Sequence, residues 1–296
     1  MRTTLDFLAD PAEFLAAAGE HLALDPVIGT VVTTIADRAV REVADGIGQP
    51  PEDWWLVVRD EAGAVVGAGM RTAPFGSRPA FLLPMPDEAA VALAAVLHDR
   101  GEEMLAVNGA LPAARICADE LARRTSACVR VAQHTRLFEL VDLVAPRPVP
   151  GTLMRATRHD LDLALAWFAA FMSDADEQAG RPAGSSAHEA PTEQEMLRRI
   201  DGDRIWFWVD DAGERVHLTG TNPPSFGVAR IGPVYTPPDQ RGRGFASAAV
   251  AAVSQQIIDG GARACLFTDQ ANPTSNHIYT ELGYRPVVDM ANHVIE

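Results

Sequence analysis

The feature that most narrows what this chain can fold into is a hairpin signal that occurs twice. In Trp54–Val66, WWLVVRDEAGAVV, and in Arg204–Val216, RIWFWVDDAGERV, aromatic and β-branched residues run into an Asp-rich turn with glycine. That is how two antiparallel strands with a short loop look. Asp60 and Gly63 recur as Asp210 and Gly213 at a constant offset of 150 residues. A repeat of half the chain length suggests duplication.

The order downstream repeats as well, which a chance hairpin match does not require. In the first half a strand at Ala80–Pro84 leads to a helix near Asp87–Asp99, a strand near Met104–Val107, a helix near Pro112–Arg124 and strands within Val129–Val144. The second half gives a strand at Gly227–Thr236, a helix from about Arg243 to Asp259, a strand at Ala264–Thr268, a helix at Pro273–Leu282 and strands from Tyr284 onward. The 296 residues exceed the roughly 250 at which single cores stop growing. The expectation is therefore an α/β (α+β) protein of two tandem domains, each a mixed, mostly antiparallel sheet flanked by helices. Val144–Pro150 holds three prolines in seven residues, a stiff connector that places the boundary between domains 1–145 and 146–296.

Composition then narrows the function classes. The net charge of −15 is opposite to the basic surface that releases counterions from a phosphate backbone, so nucleic acid is not an expected partner. An acidic field favours cationic small molecules or basic peptides. No apolar run reaches the roughly 18 to 20 residues of a membrane span. The opening, MRTTLDFLADPAEF, carries acids where a secretion signal would be apolar. No membrane partner and a cytoplasmic location are expected. Cys117, Cys128 and Cys265 fit neither a disulfide framework nor a zinc site and are expected as reduced, inert core thiols. The eight histidines include no pair at metal-ligand spacing, so no metal is expected. Ser173–Pro191, SDADEQAGRPAGSSAHEAP, is expected as a mobile surface loop.

Chemistry concentrates in Val234–Ser247, VYTPPDQRGRGFAS, between a strand and an Ala-rich helix. Free N–H groups at such a junction, with the positive end of the helix dipole, favour an anion. Gly242 and Gly244 let the main chain approach a phosphate with no Cβ in the way. Arg241 and Arg243 add charge, so the turn suits a pyrophosphate-sized ligand. It has neither the Gly-Lys-Ser/Thr ending of a Walker-type loop nor a G-x-G-x-x-G fingerprint early in a βαβ unit.

A second element, Asn272–Tyr284, NPTSNHIYTELGY, follows thirty-odd residues on. Arg241, Gly244 and Ala246, followed by Asn272, Tyr279, Gly283 and Tyr284, resemble the paired motifs of the GNAT superfamily of acyl-CoA-dependent N-acyltransferases, over roughly residues 151–296. The resemblance implies that Arg241, Gly242, Arg243, Gly244, Phe245 and Ala246, with Ser247 nearby, cradle the pyrophosphate of acetyl-CoA or another acyl-CoA. It implies that the preceding strand splays from its neighbour and offers main-chain groups at Val234 and Thr236 to the pantetheine amides. Asn272 would contact the pantetheine arm, with Asn276 one turn further on, and Tyr279 would protonate the departing thiolate. The helical spacing agrees, because Asn272, Asn276 and Tyr279 share one face. A phenol near pKa 10 can donate to a thiolate, general acid help worth about 10²- to 10⁴-fold. The implied activity is direct transfer of an acetyl group from acetyl-CoA to a primary amine of a small molecule or peptide. A tandem copy with one inactive half also resembles mycothiol synthase-like acetyltransferases. The rival reading is a CoA-sensing or scaffolding module that binds without transfer.

Acyl transfer requires a neutral amine, yet the strand Phe226–Tyr235 contains no acid. Asp269, His217, Asp174, Asp176 and Glu177 are the options, and none is assigned as a base. The first half lacks the site groups: its strand ends in Leu83-Pro84-Met85-Pro86-Asp87, where proline removes the amides an anion needs. Aligning Pro112 with Pro273 puts Ala118 and Ala122 in the places of Tyr279 and Gly283. That half reads as a degenerate copy that packs against the active one and helps to wall the acceptor site. Trp54, Trp55, Trp206 and Trp208 read as packing residues.

Overall fold

The computed structural model describes residues 3–72, 78–178, 180–184 and 190–296. Among these the chain passes twice through one order of elements. The first pass is β1 (Thr4–Leu8), α1 (Pro11–Leu24), α2 (Thr30–Ala44), β2 (Trp54–Arg59), β3 (Val65–Arg71), β4 (Ala80–Leu82), α3 (Asp87–Asp99), β5 (Ala106–Ala110), α4 (Ala113–Thr125) and β6 (Val129–Leu140). The second is β7 (Thr152–Arg155), α5 (Leu161–Gln178), α6 (Glu193–Asp201), β8 (Ile205–Val209), β9 (Arg215–Thr221), β10 (Val228–Tyr235), α7 (Phe245–Asp259), β11 (Arg263–Asp269), α8 (Pro273–Glu281) and β12 (Tyr284–Ile295). The duplication read from the hairpins thus extends to every element of this order.

The hairpins match in detail. Gly63 and Gly213 hold φ of 83° and 84°, a left-handed turn conformation that glycine adopts without strain. Asp60 Oδ1 accepts from the amides of Ala62 and Ala64, both at 2.9 Å, and Asp210 Oδ1 accepts from those of Ala212 and Glu214, both at 3.0 Å. One side chain thereby satisfies two amides of its own turn.

The chain folds as two compact units, Met1–Arg136 with Val288–Glu296, and Leu137–Val287. The closing strand of each repeat ends in the other repeat's unit: β6 finishes in the second and β12 in the first. In the first unit β1 to β5 lie in sequence order, with β4 and β5 parallel. Met290–Val294 of β12 then pairs antiparallel with Ala110–Ala106 of β5. Period-two alternation sends Trp54 to the side of Leu82, Leu93 and Leu121, beneath α3 and α4. Trp55 goes to the other side, stacked on Phe14 of α1 at 5.1 Å.

In the second unit the strand order is β7-β8-β9-β10-β11-β6. Trp206 joins Ile231, Val250, Leu266 and Tyr284 on the α7 and α8 side, and Phe207 joins Phe168, Met196 and Leu218 on the α5 and α6 side. Full burial of such side chains contributes about 1.5 to 3 kcal/mol each. The connector Val144–Pro150 lies inside this unit, where the Pro150 carbonyl accepts from Trp208 Nε1 at 2.9 Å.

Two expectations need correction. Ser173–Gln178 is not loop but the last turns of α5. The fully buried Asp176 carboxylate there accepts from Arg181 Nη2 at 2.9 Å, which ties the helix end to the chain beyond it. Residues 179 and 185–189 of the same stretch lie outside the described residues. Cys117 and Cys265 are buried, but Cys128, just before β6, is exposed, so it is no core thiol. Among the described residues no helix is long and apolar enough to cross a membrane.

Candidate functional site

The site begins where two parallel strands part. β10 and β11 pair only over Val228–Ile231 and Arg263–Leu266, although β10 runs on to Tyr235 and β11 to Asp269. Beyond Ile231, β10 stays with β9, through an irregularity between Ile231 and Val234. Pro233 has no N–H to give to a neighbour. Gly220 makes room for the shift, since a Cβ there would lie 2.8 Å from Pro233 Cδ. The far ends of β10 and β11 therefore form a V with main-chain groups not spent on each other. Val234 and Thr236 lie on one arm, and Val234 packs on the apolar cluster that contains Tyr279.

The β10 arm leads through a 3-10 turn, Pro238–Gln240, to the glycines. Gly242 and Gly244 have φ of 76° and 86°, and Gly244 is the N-cap of α7. The first helical bond is Ala248 N to Gly244 O at 3.1 Å. Among the described residues, the amides of Gly242, Arg243, Gly244, Phe245, Ala246 and Ser247 donate to no backbone carbonyl. They stand together at the positive end of the helix dipole. The amide of Arg241 is spent on Pro238 O at 3.4 Å, so Arg241 contributes its side chain alone. Its Nε donates to Thr236 O at 3.0 Å and its Nη2 pairs with Asp174 of α5. Arg243 bonds the Gln240 side chain, and its guanidinium lies 4.7 Å from the centre of the buried Phe245 ring. Phe245 anchors the helix start while the residues before it stay exposed.

The β11 arm leads to α8. Asn272 is its N-cap: Oδ1 accepts from Ser275 N at 3.0 Å, and Nδ2 donates to Gln178 Oε1 at 2.9 Å. Asn276 Nδ2 donates to Asn272 O at 2.7 Å and to Asp269 O at 3.0 Å, which locks the β11–α8 turn. Tyr279 is 6% exposed, with its ring centre 6.1 Å from that of Tyr284. Burial pushes its phenol up to about 12, partly opposed by a hydrogen bond with the Ser275 side chain. The group stays protonated, and thus a donor, across the range in which proteins work.

His217 is the residue whose place the sequence did not reveal. It is fully buried, and burial pushes its ring down to about 3. Nδ1 lies 2.7 Å from Thr236 Oγ1 and Nε2 lies 2.7 Å from Thr219 Oγ1. A ring so weakly basic fixes the end of β10 instead of taking a proton from an amine. Asp269 is likewise engaged locally, accepting from Ala271 N at 2.7 Å.

Among the described residues the first unit has no such opening. β4 pairs with β5 up to its last residue, Leu82, opposite Gly109. A Cβ on Gly109 would lie 2.0 Å from Leu82 O, so the two strands are in direct contact there. Pro84 and Pro86 follow where the second unit has its glycines. With Leu22, Ile28 and Val66 they border a largely apolar pocket of 380 Å³, no cradle for an anion.

Residues 224–292 match the family model described as FR47-like protein. No curated protein sequence matches the chain. Among solved structures, a GCN5-related N-acetyltransferase from Sphaerobacter thermophilus is similar at a TM-score of 0.59 and 18% identity, covering 98% of this chain and 94% of that one. An acetyltransferase of the GNAT family from Colwellia psychrerythraea is similar at 0.54 and 12% identity, covering 99% of each chain. A tandem GNAT protein from the clavulanic acid biosynthesis pathway is similar at 0.53 and 15% identity, covering 100% of this chain and 98% of that one. With its twice-repeated order of elements, this chain has the fold of the GNAT superfamily in a tandem arrangement.

Proposed function

We propose that the second unit is an N-acyltransferase that binds acyl-CoA, acetyl-CoA being the simplest case, and acylates a primary amine of a small molecule or peptide. The observation that carries the reading is the end of β10–β11 pairing at Ile231 and Leu266, just ahead of unpaired amides at Gly242 to Ser247. The residues fit the group: the glycines at positive φ bring amides to a phosphate, and Arg241 and Arg243 match its charge. Val234 and Thr236 would meet the pantetheine amides along the opened strand, with Asn272 and Asn276 on the facing arm.

When bound, acyl-CoA supplies a thioester: the amine nitrogen bonds to the acyl carbon, the carbon–sulfur bond breaks, and the leaving thiolate gains a proton as the nitrogen loses one. Tyr279 holds a proton at its phenol oxygen and is suited to donate a hydrogen bond to that thiolate. With a pKa near 12 it acts by donation more than by full transfer, since a thiol is the stronger acid. The apolar cluster around Tyr279 keeps water from its ring. The first unit, closed at Gly109 and Leu82, is read as a copy without cofactor binding.

Calorimetric titration with CoA and acetyl-CoA tests the reading: micromolar binding is expected, and none at millimolar concentrations would overturn it. Thiol release across a panel of amines then separates transfer from a CoA-binding module, which would bind and release nothing.

A further inference from the structure

Two residues one turn apart on α5 reach both motifs. The Asp174 carboxylate pairs with Arg241, beside the glycine turn, and Gln178 Oε1 accepts from the Asn272 side chain at 2.9 Å, at the start of α8. Their i,i+4 spacing puts them on one face of the helix. The end of α5 therefore spans from the arm formed by β10 to the arm formed by β11. Both of its partners are groups that the acyl-CoA site draws on.

We propose that Asp174 and Gln178 are an exchange latch that orders substrate binding: acyl-CoA takes Arg241 and Asn272 from them, and the freed Asp174 carboxylate then receives the ammonium group of the acceptor. The latch rests on the acyl-CoA reading of the same site. It adds the form in which the primary amine arrives, protonated, and the residue that selects it.

Charge and geometry support the exchange. A pyrophosphate meets the amides of Gly242 to Ser247 together with Arg241, so it competes for that guanidinium with more groups than a single carboxylate offers. The Asp174–Arg241 pair is partly exposed, with side chains 31% and 48% accessible, so it is a weak bond to displace. Asp174 also faces the end of β10. The Tyr235 phenol is raised first by burial and then by the negative charge of Asp174. A carboxylate already holding a guanidinium at the rim of the opening is placed to hold another cation once that one leaves. The net charge of −15 draws protonated amines toward it.

Asp174→Asn tests the latch through two effects of opposite sign. By calorimetry, CoA should bind the variant about two- to fivefold more tightly than the unaltered protein, because Arg241 no longer has a competing carboxylate. Gln178→Ala should shift CoA binding in the same direction, and it carries the test should Asp174→Asn fail to fold. Binding of a panel from propylamine to 1,4-diaminobutane and lysine should be tighter with CoA present than without it. That gain should be lost in Asp174→Asn. Unchanged or weaker CoA binding by both variants, or amine binding indifferent to CoA, overturns the latch alone. No CoA binding by the unaltered protein overturns the acyl-CoA reading and the latch with it.

Discussion

His217 Nδ1 lies 2.7 Å from Thr236 Oγ1, so a histidine with no exposed atoms to speak of holds the strand end from which the glycine turn departs. Burial pushes this ring from 6.5 to about 3. The unfolded chain takes up a proton near pH 6.5, whereas the folded chain does so only near 3. The stabilisation is complete above pH 6.5 and is lost as pH falls through that window. One pKa unit is worth about 1.4 kcal/mol, so lowering the pH from 7.5 to 5 should cost about 2 kcal/mol through this residue. Urea denaturation at the two pH values measures the loss, and His217→Gln should make it smaller by that amount. An equally steep loss in the variant would assign the acid sensitivity to other groups.

With the Tyr279 phenol pushed up to about 12 and His217 down to about 3, neither titrates between pH 6 and 10. A rising limb of kcat/KM in that range then belongs to the acceptor, which must lose its proton to attack. For two turned-over amines that differ by two pKa units, the midpoints should differ by about as much. Tyr279→Phe should lower kcat about 10²-fold or more and leave CoA affinity within about twofold. A kcat within threefold of the unaltered protein's would remove Tyr279 from the chemistry.

The order of elements was legible because its signals are local. Asp60 and Asp210 each bind amides of their own turn, so the residues that form each hairpin also announce it. The glycine turn was legible for the same reason, since positive φ is asked of Gly242 and Gly244 by the chain beside them. What could not be read depends on partners far away in sequence. Ser173–Gln178 looks like loop by composition, yet Asp174 and Gln178 are held by Arg241 and Asn272. The pairing of β12 with β5 joins segments that nothing local marks as partners. His217 sits in an alternating strand like any other polar residue. Only its contacts with the hydroxyls of Thr219 and Thr236 give it a role.

Gly242 and Gly244 should respond differently to alanine. Both have positive φ, which costs a residue with a Cβ about 1 to 2 kcal/mol. At Gly242 a Cβ meets nothing within 4 Å, whereas at Gly244 it would lie 2.9 Å from Val149 Cγ1. Gly244→Ala should therefore lower the melting temperature more than Gly242→Ala. Both should weaken CoA binding, because each Cβ stands among the amides that a phosphate would approach. CoA binding unaffected by either change would move the anion site elsewhere.

Arg230 sets the last test. It pairs in register with Cys265, one step before the strands part, and its Nη1 is buried with no hydrogen-bond partner among the described residues. Burial lowers its pKa, which says that the charged form is held at a cost. An unsatisfied buried donor costs about 1 to 3 kcal/mol, more when it carries charge, and an apolar residue of similar length removes that cost. Arg230→Met should therefore raise the unfolding free energy by at least about 1 kcal/mol in urea titrations. Cys265→Ala should not, since it leaves Arg230 Nη1 buried and without a partner. A loss of stability in Arg230→Met would mean that the long aliphatic stem of the arginine contributes more than its unsatisfied Nη1 costs.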